Sequence, residues 1–208
     1  MKDIKTFGKT FGLCLALAVA AMAFGAGSAS ATKLCSVNTS PCPAGNTYGK
    51  GTAIKTQLVP GTVSTMSSGF VTVTCTESTM SGKTTSEGGS GAVLGEISSA
   101  TWKNCTSSLG SCTASSLKTP WPAEVTGSGG NGTLTVQHPG GKFTCGGTTC
   151  EYEGSKASLS VTGGNPAKAK ASNVSFSKIG GGFLCSSTSS WSGEYEVTAP
   201  KPLFIVSG

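Results

Sequence analysis

Arginine is missing from this 208-residue chain: all 15 cationic residues are lysines. Bidentate recognition of phosphate or guanine leans on the guanidinium fork. Beyond Lys9 the lysines are spread from Lys33 to Lys201 with no cluster beyond Lys168-Ala169-Lys170. No phosphate-tracking stripe forms, and we expect no nucleic-acid partner. Aspartate occurs once, at Asp3, and histidine once, at His138. A Ser-His-acid triad would need His138 and one of eight glutamates, and no G-x-S-x-G elbow is present to seat a nucleophile. His138 precedes Pro139-Gly140-Gly141 and reads as an exposed turn residue. No CxxC occurs either, so a zinc site lacks its ligands and we expect no metal and no cofactor.

Long apolar runs are scarce as well. The one that stands out extends from Phe11 to Ala26, follows Lys2, Lys5 and Lys9, and ends in Ala29-Ser30-Ala31. A positive start, a short apolar stretch and a small-residue site are the three parts of an export signal, with cleavage expected after Ala31. The run is shorter than the ~20 residues a bilayer span needs, so no membrane span is expected after cleavage. Cys14 sits inside the run, where Leu15 continues it, so the cysteine is not placed for lipid anchoring. Removal of residues 1–31 leaves 177 of the 208, enough for one domain with its own core. Twelve lysines and eight glutamates then give a net charge of +4.

What the chain does contain is cysteine, glycine and alternation. Eight of its nine cysteines follow the export segment: Cys35, Cys42, Cys75, Cys105, Cys112, Cys145, Cys150 and Cys185. An even number in an exported chain predicts a disulfide framework. Short spacing across turn-forming residues favours Cys35–Cys42, Cys105–Cys112 and Cys145–Cys150, which leaves Cys75 for Cys185.

Residues 181–206 carry the longest two-residue alternation. Trp191, Gly193, Tyr195 and Val197 share one parity and Ser192, Glu194, Glu196 and Thr198 the other, the pattern of a half-buried strand. Pro200 and Pro202 end it, so Leu203-Phe204-Ile205-Val206 forms a separate strand. Similar alternation occurs at Val71/Val73/Cys75, Trp121/Ala123/Val125, Leu134/Val136, Ala157/Leu159/Val161 and Val174/Phe176. Phe143–Cys145 and Cys150–Glu153 flank a Gly-bearing hairpin connection. Some nine short strands between Gly-rich turns predict an all-β, disulfide-stapled antiparallel β-sandwich or jelly roll. It is expected over residues 61–208, preceded by a disulfide-pinned N-terminal arm at 32–60.

Two sets of residues are candidates for a site. Glu151/Glu153 and Glu194/Glu196 lie two apart on a strand, about 6.5–7 Å, a spacing compatible with paired carboxylates in a glycosidase. They alternate with Tyr152 and Tyr195, however, which places them more simply on the solvent face. Trp102, Trp121 and Trp191 offer flat stacking platforms for a ligand. Trp121 and Trp191 fall on the apolar parity of their strands and read as core, which leaves Trp102 as the candidate.

The order of Cys75-Thr-Glu-Ser-Thr-Met-Ser-Gly82, Gly95-Glu-Ile-Ser-Ser-Ala-Thr-Trp102-x-x-Cys105 and Pro120-Trp121 resembles a group of small exported Gly/Ser/Thr-rich proteins from Gram-positive soil bacteria, over nearly all the chain beyond the signal. Across the middle third, the cysteine strand, the I-S-S-A-T-W stretch and the Pro-Trp step resemble the secreted family named protein activator of alkane oxidation. That resemblance implies an extracellular surface or matrix role, and neither group supplies a catalytic residue. The expectation is a secreted or cell-surface, non-enzymatic binding or structural protein. Its partner would be a surface glycan, an apolar ligand or another copy of itself. The alternative is a carbohydrate-binding module or a glycan-acting hydrolase that uses one Glu pair.

Overall fold

The computed structural model describes residues 31–69 and 71–208; the expected export segment, all but Ala31, lies outside them. The expected all-β fold is present: fourteen antiparallel strands and one short 3-10 turn at Ala44–Asn46. The strands are β1 (Thr32–Cys35), β2 (Ala53–Leu58), β3 (Ser64–Ser68), β4 (Val71–Thr84), β5 (Val93–Ser107), β6 (Gly110–Leu117) and β7 (Trp121–Ser128). There follow β8 (Asn131–Gln137), β9 (Gly140–Cys145), β10 (Thr148–Glu153), β11 (Lys156–Thr162), β12 (Lys168–Gly181), β13 (Thr188–Ala199) and β14 (Phe204–Ser207).

Pairing closes the main sheet on itself. Strands β4, β5, β12 and β13 are long, 12 to 15 residues, and each pairs along its length with different partners at its two ends. Between them lie four positions at which the chain forms two shorter strands end to end: β2 with β3, β6 with β7, β8 with β9, and β10 with β11. Around the ring, β2/β3 pairs β4, β4 pairs β5, β5 pairs β6/β7, and these pair β9/β8. Then β8/β9 pairs β11/β10, these pair β12, β12 pairs β13, and β13 returns to β2/β3. The result is an eight-position up-and-down barrel in which each position neighbours the next in sequence. Closure satisfies the edge N–H and C=O groups that an open sheet would leave unpaired. The expected antiparallel packing thus takes a closed form, and its longest strands exceed the short ones anticipated.

Alternation then sorts the side chains into an apolar interior and a polar exterior. On β12, Ala169, Ala171 and Phe176 are buried while Lys168 and Lys170 are exposed. On β11, Ala157, Leu159 and Val161 are buried between exposed Lys156, Ser158, Ser160 and Thr162. A barrel wall facing lipid needs the opposite order, an outward apolar band. Among the described residues no helix is long and apolar enough to cross a membrane.

The two ends differ. One, here the lower end, is capped by the two-stranded ribbon of β1 and β14, with Leu34, Leu203, Ile205 and Val206 buried. The ribbon is clipped to two wall turns by reciprocal backbone bonds: Gly130 N–H to Ile205 O at 2.8 Å, and Gly164 N–H to Leu203 O at 2.9 Å. Gly163 packs so closely that an added Cβ would lie 2.1 Å from Gly130 O. Ala53–Leu58, within the stretch expected as an arm, is a wall strand paired with β4 and β13. Across the upper end runs the segment of residues 182–187, which carries Cys185.

All eight cysteines among the described residues are bonded, in pairs Cys35–Cys42, Cys75–Cys105, Cys112–Cys145 and Cys150–Cys185. Of the expected pairs only Cys35–Cys42 forms; Cys105–Cys112, Cys145–Cys150 and Cys75–Cys185 do not. Register explains the difference. Cys75, Cys105, Cys112 and Cys145 are mutual opposites along one row of four wall positions, and bonding joins the first two and the last two. Cys150 lies opposite Phe143, two residues out of step with Cys145, and turns to Cys185 in the upper segment.

Candidate functional site

The interior of the barrel is the candidate site. An eight-stranded barrel is just wide enough to be filled by side chains or to hold one small ligand. Here three cavities succeed one another along the axis. The lower has about 130 Å³ and lies against Ile54, Thr56, Val93, Val125, Val161 and Ile205. The middle, about 40 Å³, touches Trp102, Trp121, Val136, Phe176 and Trp191. The upper, about 120 Å³, is bounded by Ser68, Val71, Val73, Leu109, Tyr152 and Leu184.

Adjacent cavities share walls. Met80, Ile97, Leu134 and Leu159 border both the lower and the middle one; Met66 and Phe143 border both the middle and the upper. Each partition therefore contains a methionine, whose unbranched thioether side chain changes rotamer more easily than any branched neighbour. The upper cavity reaches the surface at Leu109 and Leu184, which are 48% and 52% exposed, beside Phe183 at 93%. At the lower end Leu34, Leu203 and Ile205 close the floor.

Polarity inside the barrel is confined to uncharged groups. Among the described residues no lysine, glutamate or histidine is buried. At mid-height the Trp191 Nε1–H donates to Ser64 Oγ at 3.0 Å, and the Tyr195 hydroxyl donates to the same oxygen at 3.3 Å. Ser78 stands 3.1 Å from the Tyr195 hydroxyl and donates to Thr101 O at 2.9 Å. Burial pushes the Tyr195 phenol above its ordinary pKa, against the smaller opposing effect of these hydrogen bonds. Trp121 Nε1–H donates to Leu117 O at 2.7 Å. These groups are satisfied by one another, as buried polar groups must be.

The residues singled out from sequence fall in two places. Glu151, Glu153, Glu194 and Glu196 all lie on the outer wall. Glu151 faces Lys142 at 3.8 Å, Glu153 pairs with Lys118 and lies 3.7 Å from His138 Nδ1, and Glu194 faces Lys168 at 3.4 Å. Glu196 accepts from Gln57 Nε2 at 2.7 Å. The structure brings neither pair into a cleft. Trp102 is half-buried and tilted against Phe143, ring centroids 6.2 Å apart, so it faces the middle cavity rather than solvent.

Sequence reading passed over Thr56, Met66 and Met80. The signal for Thr56 was available in the alternation of Ile54, Thr56 and Leu58 against Ala53, Lys55 and Gln57. For the methionines no local signal exists, since their place depends on which strands close the ring. No family model matches the chain, and neither a curated protein nor a solved structure matches it significantly.

Proposed function

We propose that this is an exported, non-enzymatic binding protein that holds one small apolar ligand inside its barrel. The observation that carries the reading is the axial run of three cavities with apolar linings and every charged side chain outside. Water has little reason to stay there: a dry apolar cavity of comparable size, about 150 Å³, accepts hydrocarbon guests. Each Å² of apolar ligand surface removed from water contributes about 25 cal/mol. Rotation of Met80 and Met66 would join the cavities, and the half-exposed Leu109 and Leu184 make the upper end the route of entry.

Export is supported by the four disulfides, which form and persist in oxidising surroundings outside the cytosol, and by the signal-like N-terminus. A cell-surface setting is what the resemblance to the secreted protein activator of alkane oxidation family implies. The test is a titration of the oxidised protein with n-hexane, followed by methyl NMR. Saturable shifts confined to inward-facing residues are expected, and Ala169→Phe, which fills the lower cavity, should weaken them. Absence of saturable binding would overturn the reading.

A further inference from the structure

The lower cavity contains one polar side chain that the fold leaves without a partner. Thr56 borders that cavity from β2, and its Oγ1 is sealed from solvent without a hydrogen bond. The hydroxyls of Ser64, Ser78 and Tyr195 are engaged with one another or with backbone. Ser189 Oγ is the only other buried side-chain oxygen left unpaired among the described residues, and it borders none of the three cavities. An unpaired buried hydroxyl destabilises the fold relative to an isosteric valine, so its presence calls for an explanation. A ligand oxygen placed beside it would supply the missing hydrogen bond.

We propose that Thr56 Oγ1 is the polar anchor of the barrel, and that the ligand is an uncharged aliphatic molecule with one hydrogen-bonding oxygen. This rests on the reading of the barrel as an apolar-ligand site. The absence of buried charge fixes the class: Lys83 and Glu96 border the lower cavity, but their side chains are partly exposed and lie 3.5 Å from each other, so an ionised head group at Thr56 would be buried without a free cation. Position fixes the orientation. Thr56 borders the lower cavity and pairs in register with Met80, so the ligand oxygen sits in the lower cavity and the aliphatic chain runs toward the middle one.

The experiment compares 1-hexanol, n-hexane and hexanoate at pH 8, by methyl NMR titration, in the wild type, Thr56→Val and Thr56→Ser. In the wild type hexanoate should bind at least about tenfold more weakly than hexanol, because its charge finds no partner. In Thr56→Val the ratio of hexanol to hexane affinity should fall about fivefold to tenfold, the range for one neutral hydrogen bond, while hexane affinity is kept. Thr56→Ser retains the hydroxyl and should retain the ratio. If hexane binds and Thr56→Val leaves the ratio unchanged, or hexanoate binds as well as hexanol, the anchor is overturned and the apolar site stands. If hexane itself does not bind the wild type, both fall together.

Discussion

Cys105 lies directly opposite Cys75 on one side and Cys112 on the other, and it is bonded to Cys75 with a Cα–Cα distance of 4.0 Å. Peptide mapping of the oxidised protein should therefore link Cys75 with Cys105 and Cys112 with Cys145. A Cys105–Cys112 link would show that the row is paired the other way. Intact mass should be lower than that of the reduced chain by eight hydrogens, two for each of four bridges.

The three barrel bridges enclose separations of 30, 33 and 35 residues, so chain entropy makes them nearly equivalent. Removing any one as a double Cys→Ala change should destabilise by about 3–4 kcal/mol, against about 2–2.5 kcal/mol for Cys35–Cys42 with its separation of 7. Urea midpoints of the four double variants test this. A barrel bridge whose loss leaves the midpoint unchanged would contradict it.

Trp191 joins the wall to the buried hydroxyl cluster, packing 5.9 Å from the Tyr195 ring while its indole N–H bonds Ser64. Trp191→Ala should destabilise by roughly 3–5 kcal/mol, the range for truncating a large buried aromatic. A variant with unchanged thermal stability would show that this side chain is not core.

Tyr195 gives the fold an alkaline limit. Its phenol pKa is raised in the folded state by burial, so the neutral form is preferred there. The associated stability is fully present below pH 10, the phenol's ordinary value, and is lost as pH rises from there toward the raised folded value. Wild type should therefore lose stability above pH 10 more steeply than Tyr195→Phe, read as urea midpoints across pH 8–12. Parallel curves for the two proteins would contradict the assignment.

Much of the wall was legible because its inward parity is local. Trp121/Ala123/Val125, Ala157/Leu159/Val161 and Trp191/Tyr195/Val197 all alternate without interruption, and each borders the interior as the pattern predicts. Elsewhere bulges reset the parity. On β12 both Ala171 and Phe176 face inward although one position is odd and the other even, because the register shifts between Ala171 and Val174. Asn173 takes φ of 50° there, and its N–H donates to Ser192 Oγ at 2.9 Å. On β5 a second shift between Trp102 and Cys105 hides the alternation in the same way.

Closure of the ring was not legible, because it depends on pairing between strands far apart in sequence: Tyr195 with Leu58, and Trp191 with Met66. Those contacts decide that the apolar faces enclose cavities, whereas Cys75 meets Cys105 through the register of β4 on β5. The outer Glu pairs were the candidates most visible in sequence, since carboxylates two apart need no tertiary knowledge to find. Thr56 was the least visible, because a lone threonine acquires meaning only from what surrounds it.

The central claim, that an apolar ligand occupies the interior, is tested most directly by isotope-filtered NOEs between unlabelled n-hexane and the methyl groups of the labelled, oxidised protein. The account predicts NOEs to Leu134, Leu159 and Val161, which border the lower cavity. NOEs confined to Leu184 and other exposed apolar side chains, or none at saturation, would contradict it.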